Sequence, residues 1–224
     1  MLDCTTDTYE TLYARWLENP GAILDWGGYD VRWHPLVLDV CGGTGAVAKV
    51  ARERGSEVTL VDLNPRCDDP SVKAIRGRVE DLTWSAQAHG HLDKLARARQ
   101  MAWVKWDFLV CRQALGYLDL DAAAKALFSV AREGATFVCN AFVKPKWSFQ
   151  RYTFQGRTYF EVSGYFGRRV WHIQATGVDF DVTTFHWYSA EEIRTAFAPY
   201  WMLEKIEETN KSLRFRFLRR KGTA

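Results

Sequence analysis

Apolar and polar positions follow two different periods along the 224 residues of the chain. Between about residues 36 and 143, short and nearly continuous apolar runs predict strands that are covered on both faces, as in a parallel sheet. Segments with apolar residues at helical spacing separate these runs, and this alternation predicts an α/β domain. The predicted strands are 36–41, 57–62, 72–75, 106–111 and 135–143, and the predicted helices between them are 46–55, 85–102 and 119–132.

The period changes to two after the fifth predicted strand. From Trp147 to Trp187, the alternation of apolar and polar residues and the Gly-containing turns predict two antiparallel hairpins. Helical spacing returns at Ser189-Ala-Glu-Glu192, which has the sequence of a capping box. Two further strands are predicted at 201–207 and 213–218.

The composition, 47% hydrophobic and 25% charged, is that of an ordinary globular protein and excludes disordered and low-complexity classes. We expect a single domain over residues 1–224 with an antiparallel β insertion at 145–187. The formal net charge of +3 is too small to indicate a nucleic-acid-binding protein. Six basic residues lie between Lys211 and Lys221 with no acid among them, so the rest of the chain is slightly acidic.

The five cysteines are far apart, and none forms a CxxC motif or a Cys/His cluster with zinc spacing. No run of 18 apolar residues is present, and the first residues lack the features of a secretory signal. We therefore expect a reduced, cytoplasmic protein with no bound metal and no membrane span.

A glycine-rich loop follows the first predicted strand, with Asp39, Cys41, Gly43 and Gly45 at alternating positions. Glycines at this place allow the backbone to approach a ligand, and the helix that follows directs its N-terminus to the same point. Asp62 ends the second strand, where a carboxylate can accept hydrogen bonds from both ribose hydroxyls of a nucleotide. Because Gly43-x-Gly45-x-x-Ala48 also fits the dinucleotide pattern, an NAD(P)-binding oxidoreductase stays open.

Five segments, taken in order, resemble motifs of the class I S-adenosylmethionine (SAM)-dependent methyltransferases of the small-molecule type. The resemblance implies a Rossmann-like three-layer sandwich. Its seven-stranded sheet is mostly parallel, with an antiparallel last strand between strands five and six. It also implies SAM as the cofactor. The segments are Val37–Gly45, Val61–Pro65, Trp106–Leu118, Trp187–Ile193 and Leu213–Lys221.

The resemblance also implies roles for individual residues around the cofactor. Asp39 and the backbone of the glycine loop would hold the methionine part, and Asp62 would bind the ribose while Leu63 packs on the adenine. The exit of the fourth strand would border the sulfonium. The residues implied for the loop and for this exit are Cys41, Gly43, Gly45, Cys111, Arg112 and Gln113.

The sequence departs from the family pattern at the adenine edge. Arg78 occupies the position where the family often has an Asp that binds the exocyclic amine. Either Glu80 or Asp81 takes over this role, or the amine is left to backbone and water. Val79 could still offer its backbone amide.

The N-terminal segment Tyr9-Glu-Thr-Leu-Tyr13 resembles the Tyr-x-x-x-Tyr helix that folds over the cofactor in small-molecule methyltransferases. It belongs to a predicted helix over 7–18. Tyr9 or Tyr13 would face the SAM carboxylate or the acceptor. An amphipathic helix with its rings in the core is the alternative.

The β insertion holds twelve of the large aromatic side chains, which make up 14% of the whole chain and either fill a core or line a cleft. We expect it to form a lid over the acceptor site. A hydroxyl acceptor needs a base, for which His186, His172 and Tyr13 are the candidates. If the last hairpin turns at Thr176-Gly177, His172 and Asp181 are cross-strand neighbours. The alternatives are a structural role for His186 and a solvated position for His172.

These patterns favour an enzyme that transfers a methyl group from SAM to an N or O atom of a small-molecule acceptor with an apolar or planar body. An RNA or protein methyltransferase is the alternative and rests on the basic residues near the C-terminus. An NAD(P)-binding oxidoreductase and a non-catalytic binding subunit are the remaining alternatives. The sequence argues against nucleic acid and membrane partners and leaves open whether the chain forms a homodimer.

Overall fold

The computed structural model describes residues 17–82, 105–142, 148–154, 157–166, 169–176, 179–186, 188–210 and 212–221, and gives the backbone alone for the strands between 148 and 185. The predicted helix at 85–102 lies outside these residues, as does the predicted helix at 7–18 apart from its last two positions. Within the described part, no helix is long and apolar enough to cross a membrane.

Seven strands form one mixed sheet with the order β10-β11-β5-β4-β1-β2-β3. The strands β1 to β5 pair in parallel, and β11 runs antiparallel between β5 and β10. This arrangement confirms the fold class that the sequence predicted. The bounds are β1 Leu36–Val40, β2 Glu57–Asp62, β3 Lys73–Arg76, β4 Trp106–Arg112, β5 Ala131–Phe142, β10 Trp201–Glu208 and β11 Ser212–Arg219.

Helices cover both faces of this sheet, and three of the four described helices begin at residues whose side chains cap them. Asn19 and Asp119 accept hydrogen bonds from backbone N–H groups in the first turns of their helices. Ser189 and Glu192 form the predicted capping box reciprocally. The helices are α1 Pro20–Trp26, α2 Ala46–Glu53, α3 Leu120–Val130 and α4 Ala190–Phe197.

Two apolar clusters lie between the sheet and the helices that cover its two faces. Ile23 and Leu24 of α1 pack with α2 against one face, around Phe108 and Val138. The helices α3 and α4 pack against the other face, where several aromatic rings stack on one another. A substantial share of the aromatic residues therefore fills this core, and its rings include those of Phe137, Phe197, Trp201, Phe215 and Phe217.

The fifth strand begins four residues earlier than the sequence predicted. The helix α3 ends at Val130, and β5 starts at Ala131 directly after it. The register between β4 and β5 is irregular near this start, and Gly134 has a φ of +77°. Glu133-Gly134, which follows the predicted helix at 119–132, is therefore an irregularity inside the strand rather than the end of that helix.

The insertion forms a second, four-stranded antiparallel sheet with the order β6-β7-β8-β9. Its register places His172 opposite Thr183 and Asp181 opposite Gln174. The predicted His172–Asp181 pair is therefore wrong. Two residues, 177 and 178, connect the last two strands, and this connection moves the pairing by two positions. The strands are β6 Ser148–Phe154, β7 Arg157–Phe166, β8 Arg169–Thr176 and β9 Asp179–His186.

Candidate active site

The strand order of the main sheet reverses between β1 and β4, and the carboxyl ends of these two strands form the switch point of the fold. Cys41 follows β1 directly and Gln113 follows β4 directly, with φ values of +54° and +56°. They are the two non-glycine residues with positive φ in the part of the chain that the structure describes. Left-handed backbone of this kind concentrates at functional sites, so these residues mark the candidate site.

The glycine loop lies at this switch point and leads into α2. Gly43 and Gly45 both have positive φ, at +53° and +80°. A Cβ on Gly45 would collide with the Cys67 side chain, whereas a Cβ on Gly43 would meet no atom within 4 Å. Gly45 is thus required by packing inside the protein, and Gly43 borders open space that a ligand can enter.

Asp39 supports the loop from within the protein. Its carboxylate is buried and accepts a 3.1 Å hydrogen bond from the backbone N–H of Ala48 in the first turn of α2. A Cβ on Gly42 would lie 2.6 Å from Asp39 Oδ2, so the loop closes tightly over the carboxylate. Asp39 therefore stabilises the loop and the helix N-terminus whose backbone N–H groups can bind a ligand.

The end of β2 lies beside the same loop. Asp62 Oδ2 accepts a 3.0 Å hydrogen bond from the backbone N–H of Gly43, and Oδ1 accepts a 2.7 Å bond from the backbone N–H of Asn64. The next residue, Leu63, is 65% exposed. A carboxylate and an exposed apolar side chain next to a glycine loop are suited to a ribose and a base.

The thiols of Cys41 and Cys111 contact each other near the switch point. The Cys41 and Cys111 side chains are hydrogen-bonded, and this bond together with burial and the nearby charges of Asp62 and Glu80 raises the pKa of the Cys41 thiol far above its usual range. Cys111 is fully buried in β4. Because the thiolate is the nucleophilic form, Cys41 is a packing residue of the site rather than a nucleophile at neutral pH.

The residues of the predicted adenine edge differ in their exposure and in their hydrogen bonds. Val79 is buried, Arg78 and Asp81 are exposed, and the Glu80 side chain is largely buried. Glu80 Oε1 accepts a 3.1 Å hydrogen bond from the backbone N–H of Asp119, and Oε2 lies 3.8 Å from Arg78 Nε. Glu80 therefore connects this edge to the start of α3.

A buried polar network covers the exit of β4, and sequence reasoning missed its central residue, Glu18. The backbone N–H of Glu18 donates to Gln113 Oε1 at 2.8 Å, and Arg112 Nη1 donates to the Glu18 carbonyl at 2.8 Å. The Glu18 carboxylate accepts hydrogen bonds from Asn140, Ser212 and Arg214. The one available signal was Asn140, a polar residue that interrupts an apolar strand.

The strand β9 and the residues that follow it lie near the exit of β4. The exposed ring of His186 stacks on Tyr188 at a centroid distance of 5.7 Å, and the Tyr188 hydroxyl donates to the Leu118 carbonyl at 2.9 Å. Burial and the carboxylates around Tyr188 raise its pKa. The strand β9 lies against the 3-10 helix Leu115–Tyr117, on which Tyr117 is 52% exposed.

Three of the predicted site residues cannot be placed in this geometry. Tyr9 and Tyr13 lie outside the described residues, and His172 is described by its backbone register alone. Tyr117 and Tyr188 were inside the quoted motifs, but sequence reasoning assigned them no role.

Comparison with known proteins identifies the family of the chain. A family model described as a methyltransferase domain matches residues 12–200. The chain is 31% identical over 119 residues to the ubiquinone/menaquinone biosynthesis C-methyltransferase UbiE of Zymomonas mobilis. That alignment covers 50% of this chain and 44% of UbiE, so the chain spans less than half of this curated relative.

Solved structures share the fold over nearly the whole chain at low sequence identity. SAM-bound CalS10, an amino pentose methyltransferase from Micromonospora echinaspora, superposes with a TM-score of 0.66 at 18% identity and covers 98% of this chain and 100% of that one. DesVI of Streptomyces venezuelae gives a TM-score of 0.69 at 17% identity, with 96% and 98% covered. KedS8, a sugar N-methyltransferase from Streptoalloteichus, gives 0.68 at 16% identity, with 99% and 96% covered.

The family match spans most of the chain, and the glycine loop, Asp62 and the strand order lie where the sequence motifs predicted them. The chain therefore belongs to the methyltransferase-domain family, within the class I SAM-dependent methyltransferases.

Proposed function

We propose that this chain transfers a methyl group from SAM to an N or O atom of a small-molecule acceptor by in-line displacement. The observation that carries the proposal is the meeting of the glycine loop with Asp62 at the switch point of the sheet. The open space beside Gly43 and the exposed Leu63 fit the two ends of a SAM molecule. SAM supplies the activated methyl group when it is bound, and the chain supplies alignment and exclusion of water.

The residues around the loop would hold the cofactor as follows. The loop backbone, supported by Asp39, would bind the methionine part, and Asp62 would accept hydrogen bonds from the ribose hydroxyls. Leu63 would pack on the adenine, with the Val79 backbone, Glu80 or Asp81 at the adenine edge. The residues of the loop and of the β4 exit in this proposal are Cys41, Gly43, Gly45, Cys111, Arg112 and Gln113.

The insertion at 145–187 would act as a lid within one methyltransferase domain spanning residues 1–224. The support is that β9 lies against the 3-10 helix that follows β4, and that Tyr188 is hydrogen-bonded to Leu118. His186 is the first candidate for a general base, because its exposed ring lies at the end of β9 next to this contact. His172 and Tyr13 stay predictions.

Two kinds of support bear on the acceptor class, and they favour different compounds. The apolar and aromatic groups that border the site favour an acceptor with an apolar or planar body. Two of the structures with the same fold are an amino pentose methyltransferase and a sugar N-methyltransferase, so amino sugars are the first acceptors to test.

The RNA or protein alternative loses support because basic residues near the C-terminus are engaged inside the protein. Arg214 pairs with Glu18 and Glu207, and Arg216 pairs with Glu204. Arg219 and Arg220 donate to the backbone carbonyls of Phe128 and Trp201. These guanidinium groups are therefore poorly suited to neutralising phosphates. The cytoplasmic location stays a prediction.

Isothermal titration calorimetry with SAM, NADH and NADPH tests which cofactor the protein binds. We expect it to bind SAM and neither NADH nor NADPH. Release of S-adenosylhomocysteine is then measured with amino sugars, hydroxylated aromatics, an RNA oligonucleotide and a basic peptide. Turnover with a small acceptor is the expected result. NAD(P)H binding without SAM binding would contradict the proposal, as would turnover with RNA or the peptide alone.

The base is tested with the small acceptor that this screen identifies. We expect His186→Ala to lower kcat and change the pH profile without weakening SAM binding. His34→Ala is the matched control, because His34 precedes β1 at the opposite edge of the sheet. An unchanged pH profile for His186→Ala would remove His186 as the base.

A further inference from the structure

Glu18 is a buried carboxylate whose hydrogen-bonding groups are all used. It is 5% exposed and lies two residues before α1. Its backbone N–H and carbonyl bind the Gln113 and Arg112 side chains. One carboxylate oxygen accepts from Arg214, and the other accepts from Asn140 Nδ2 at 2.5 Å and from Ser212 Oγ at 2.9 Å.

The partners of Glu18 form a row across three strands. Arg112 of β4 is in register with Asn140 of β5, and Asn140 is in register with Arg214 of β11. Residues at one register position on neighbouring strands direct their side chains to the same face. Glu18 covers this row at the carboxyl edge of β4 and β5, next to the switch point.

The row has a direct connection to the left-handed residue that follows β4. Asn140 Oδ1 accepts a 2.8 Å hydrogen bond from the backbone N–H of Gln113. Asn140 is fully buried, so water cannot replace this acceptor. The Gln113 side chain is also held, because its Oε1 accepts from the backbone N–H of Glu18.

The chemistry of the carboxylate determines how the Asn140 amide is oriented. An ionised Glu is an acceptor only, so it can face the NH₂ group of Asn140 but not its carbonyl oxygen. Asn140 must therefore direct its carbonyl oxygen at the Gln113 N–H. A neutral amide at position 18 would direct its NH₂ group either at Arg214, where two donors would face each other, or at Asn140 and Ser212, where the constraint on Asn140 would be lost.

We propose that Glu18 is a positioning residue for the cofactor, which acts through Asn140 to hold the left-handed backbone of Gln113 at the exit of β4. This inference rests on the proposed function, because the β4 exit borders the sulfonium only if SAM binds at the switch point. Arg214 balances the charge of the buried carboxylate, and Glu207 in turn pairs with Arg214 at 3.1 Å.

The proposal is tested by measuring two quantities for each variant: SAM affinity, by calorimetry, and the melting temperature. We expect Glu18→Gln to weaken SAM binding at least tenfold. Glu207→Gln removes a charge from the same Arg214 without touching Asn140, and we expect less than a twofold change in SAM affinity.

Asp107→Asn is the control for stability. Asp107 is a buried carboxylate near the start of β4, bound to Arg132 at 2.7 Å and to the backbone N–H of Leu36 at 3.2 Å. Asp107→Asn should lower the melting temperature and leave SAM affinity unchanged.

A double-mutant cycle tests the route through Gln113. Glycine adopts positive φ without steric cost, so a Gln113→Gly background no longer needs Asn140 to hold the backbone. Gln113→Ala is the matched background, because it also removes Oε1 but keeps the steric cost. We expect Glu18→Gln to have a much smaller effect on SAM affinity in the Gly background than in the Ala background or the wild type. Should Glu18→Gln fail to fold, Glu18→Asp replaces it in the same cycle, because its shorter side chain withdraws the carboxylate from Asn140 without burying an amide.

The outcomes separate the two proposals. A wild-type protein that binds no SAM would overturn the proposed function. Wild-type binding with unchanged affinity in both Glu18 variants would overturn the positioning role alone. Equal losses in the wild-type and Gln113→Gly backgrounds would also overturn it, because Glu18 would then act by another route.

Discussion

Asp62 Oδ2 accepts a 3.0 Å hydrogen bond from the backbone N–H of Gly43, which joins the end of β2 to the glycine loop that follows β1. The bond crosses between neighbouring parallel strands at their carboxyl ends, where open α/β sheets bind ligands. The second oxygen, Oδ1, accepts from the Asn64 N–H. The carboxylate is therefore oriented before any ligand binds, and preorganisation of this kind lowers the cost of binding.

Asp62→Ala tests the ribose assignment. We expect SAM affinity to fall at least tenfold, or about 1.4 kcal/mol, because the carboxylate that would accept the ribose hydroxyls is lost. Calorimetry measures the change. Asp69→Ala is the control, since Asp69 is a partly exposed carboxylate that binds Ser71 in the loop after β2. Equal SAM affinity in the Asp62 variant and the wild type would refute the assignment.

Gly43→Ala separates a cost to folding from a cost to binding. Gly43 and Gly134 both have positive φ, and an added Cβ at either position meets no atom within 4 Å. Each substitution should therefore cost about 1 kcal/mol of unfolding free energy from the backbone alone. Only Gly43→Ala should weaken SAM binding, because its methyl group enters the space beside the loop. Urea unfolding and calorimetry measure the two effects, and equal SAM affinities for the two variants would contradict the placement of the cofactor.

His34 should make folding stability depend on pH. Burial lowers its pKa below the usual 6.5, and its Nδ1 accepts the backbone N–H of Asp30 at 3.1 Å. The unfolded chain therefore binds more protons than the folded one between the two pKa values, and stability falls as the pH drops below 6.5 through this window. Thermal unfolding between pH 7.5 and 5.5 measures the decrease. His34→Asn keeps an acceptor for the Asp30 N–H and should make stability depend less on pH. His186→Asn is the control at an exposed ring and should leave this dependence unchanged.

Arg219→Ala tests whether the last strand is structural or binds nucleic acid. The Arg219 guanidinium lies 4.1 Å from the centroid of the Phe128 ring, and its Nε donates to the Phe128 carbonyl at 3.2 Å. We expect the variant to lose about 1 kcal/mol of unfolding free energy, measured in urea. Lys221→Ala, at an exposed position, is the control. A loss of RNA affinity with unchanged stability would instead favour the RNA alternative.

The sheet and the loop were predictable because their signals are local. The buried parallel strands are read as continuous apolar runs, and the loop glycines lie directly after β1, where backbone geometry demands them. The capping box at Ser189 is also complete within four residues. Such features depend on interactions between residues that are close in sequence, so a short stretch of sequence is enough to predict them.

The register of the insertion was less predictable. His172 and Asp181 were expected to pair, but a connection of two residues places them opposite Thr183 and Gln174. Register in a hairpin depends on where its loop falls, and moving a two-residue loop by one position along the chain moves every pair by two.

The sequence by itself determined the sheet of this protein, the position of its glycine loop and the carboxylate of Asp62 beside it. Only the tertiary structure revealed that Glu18 pairs with Arg214, 196 positions along the chain, and through Asn140 reaches Gln113. The helical spacing of the N-terminal segment carried no sign of this role. A buried carboxylate is stable only where donors from distant strands converge on it, and that convergence exists only once the sheet has formed.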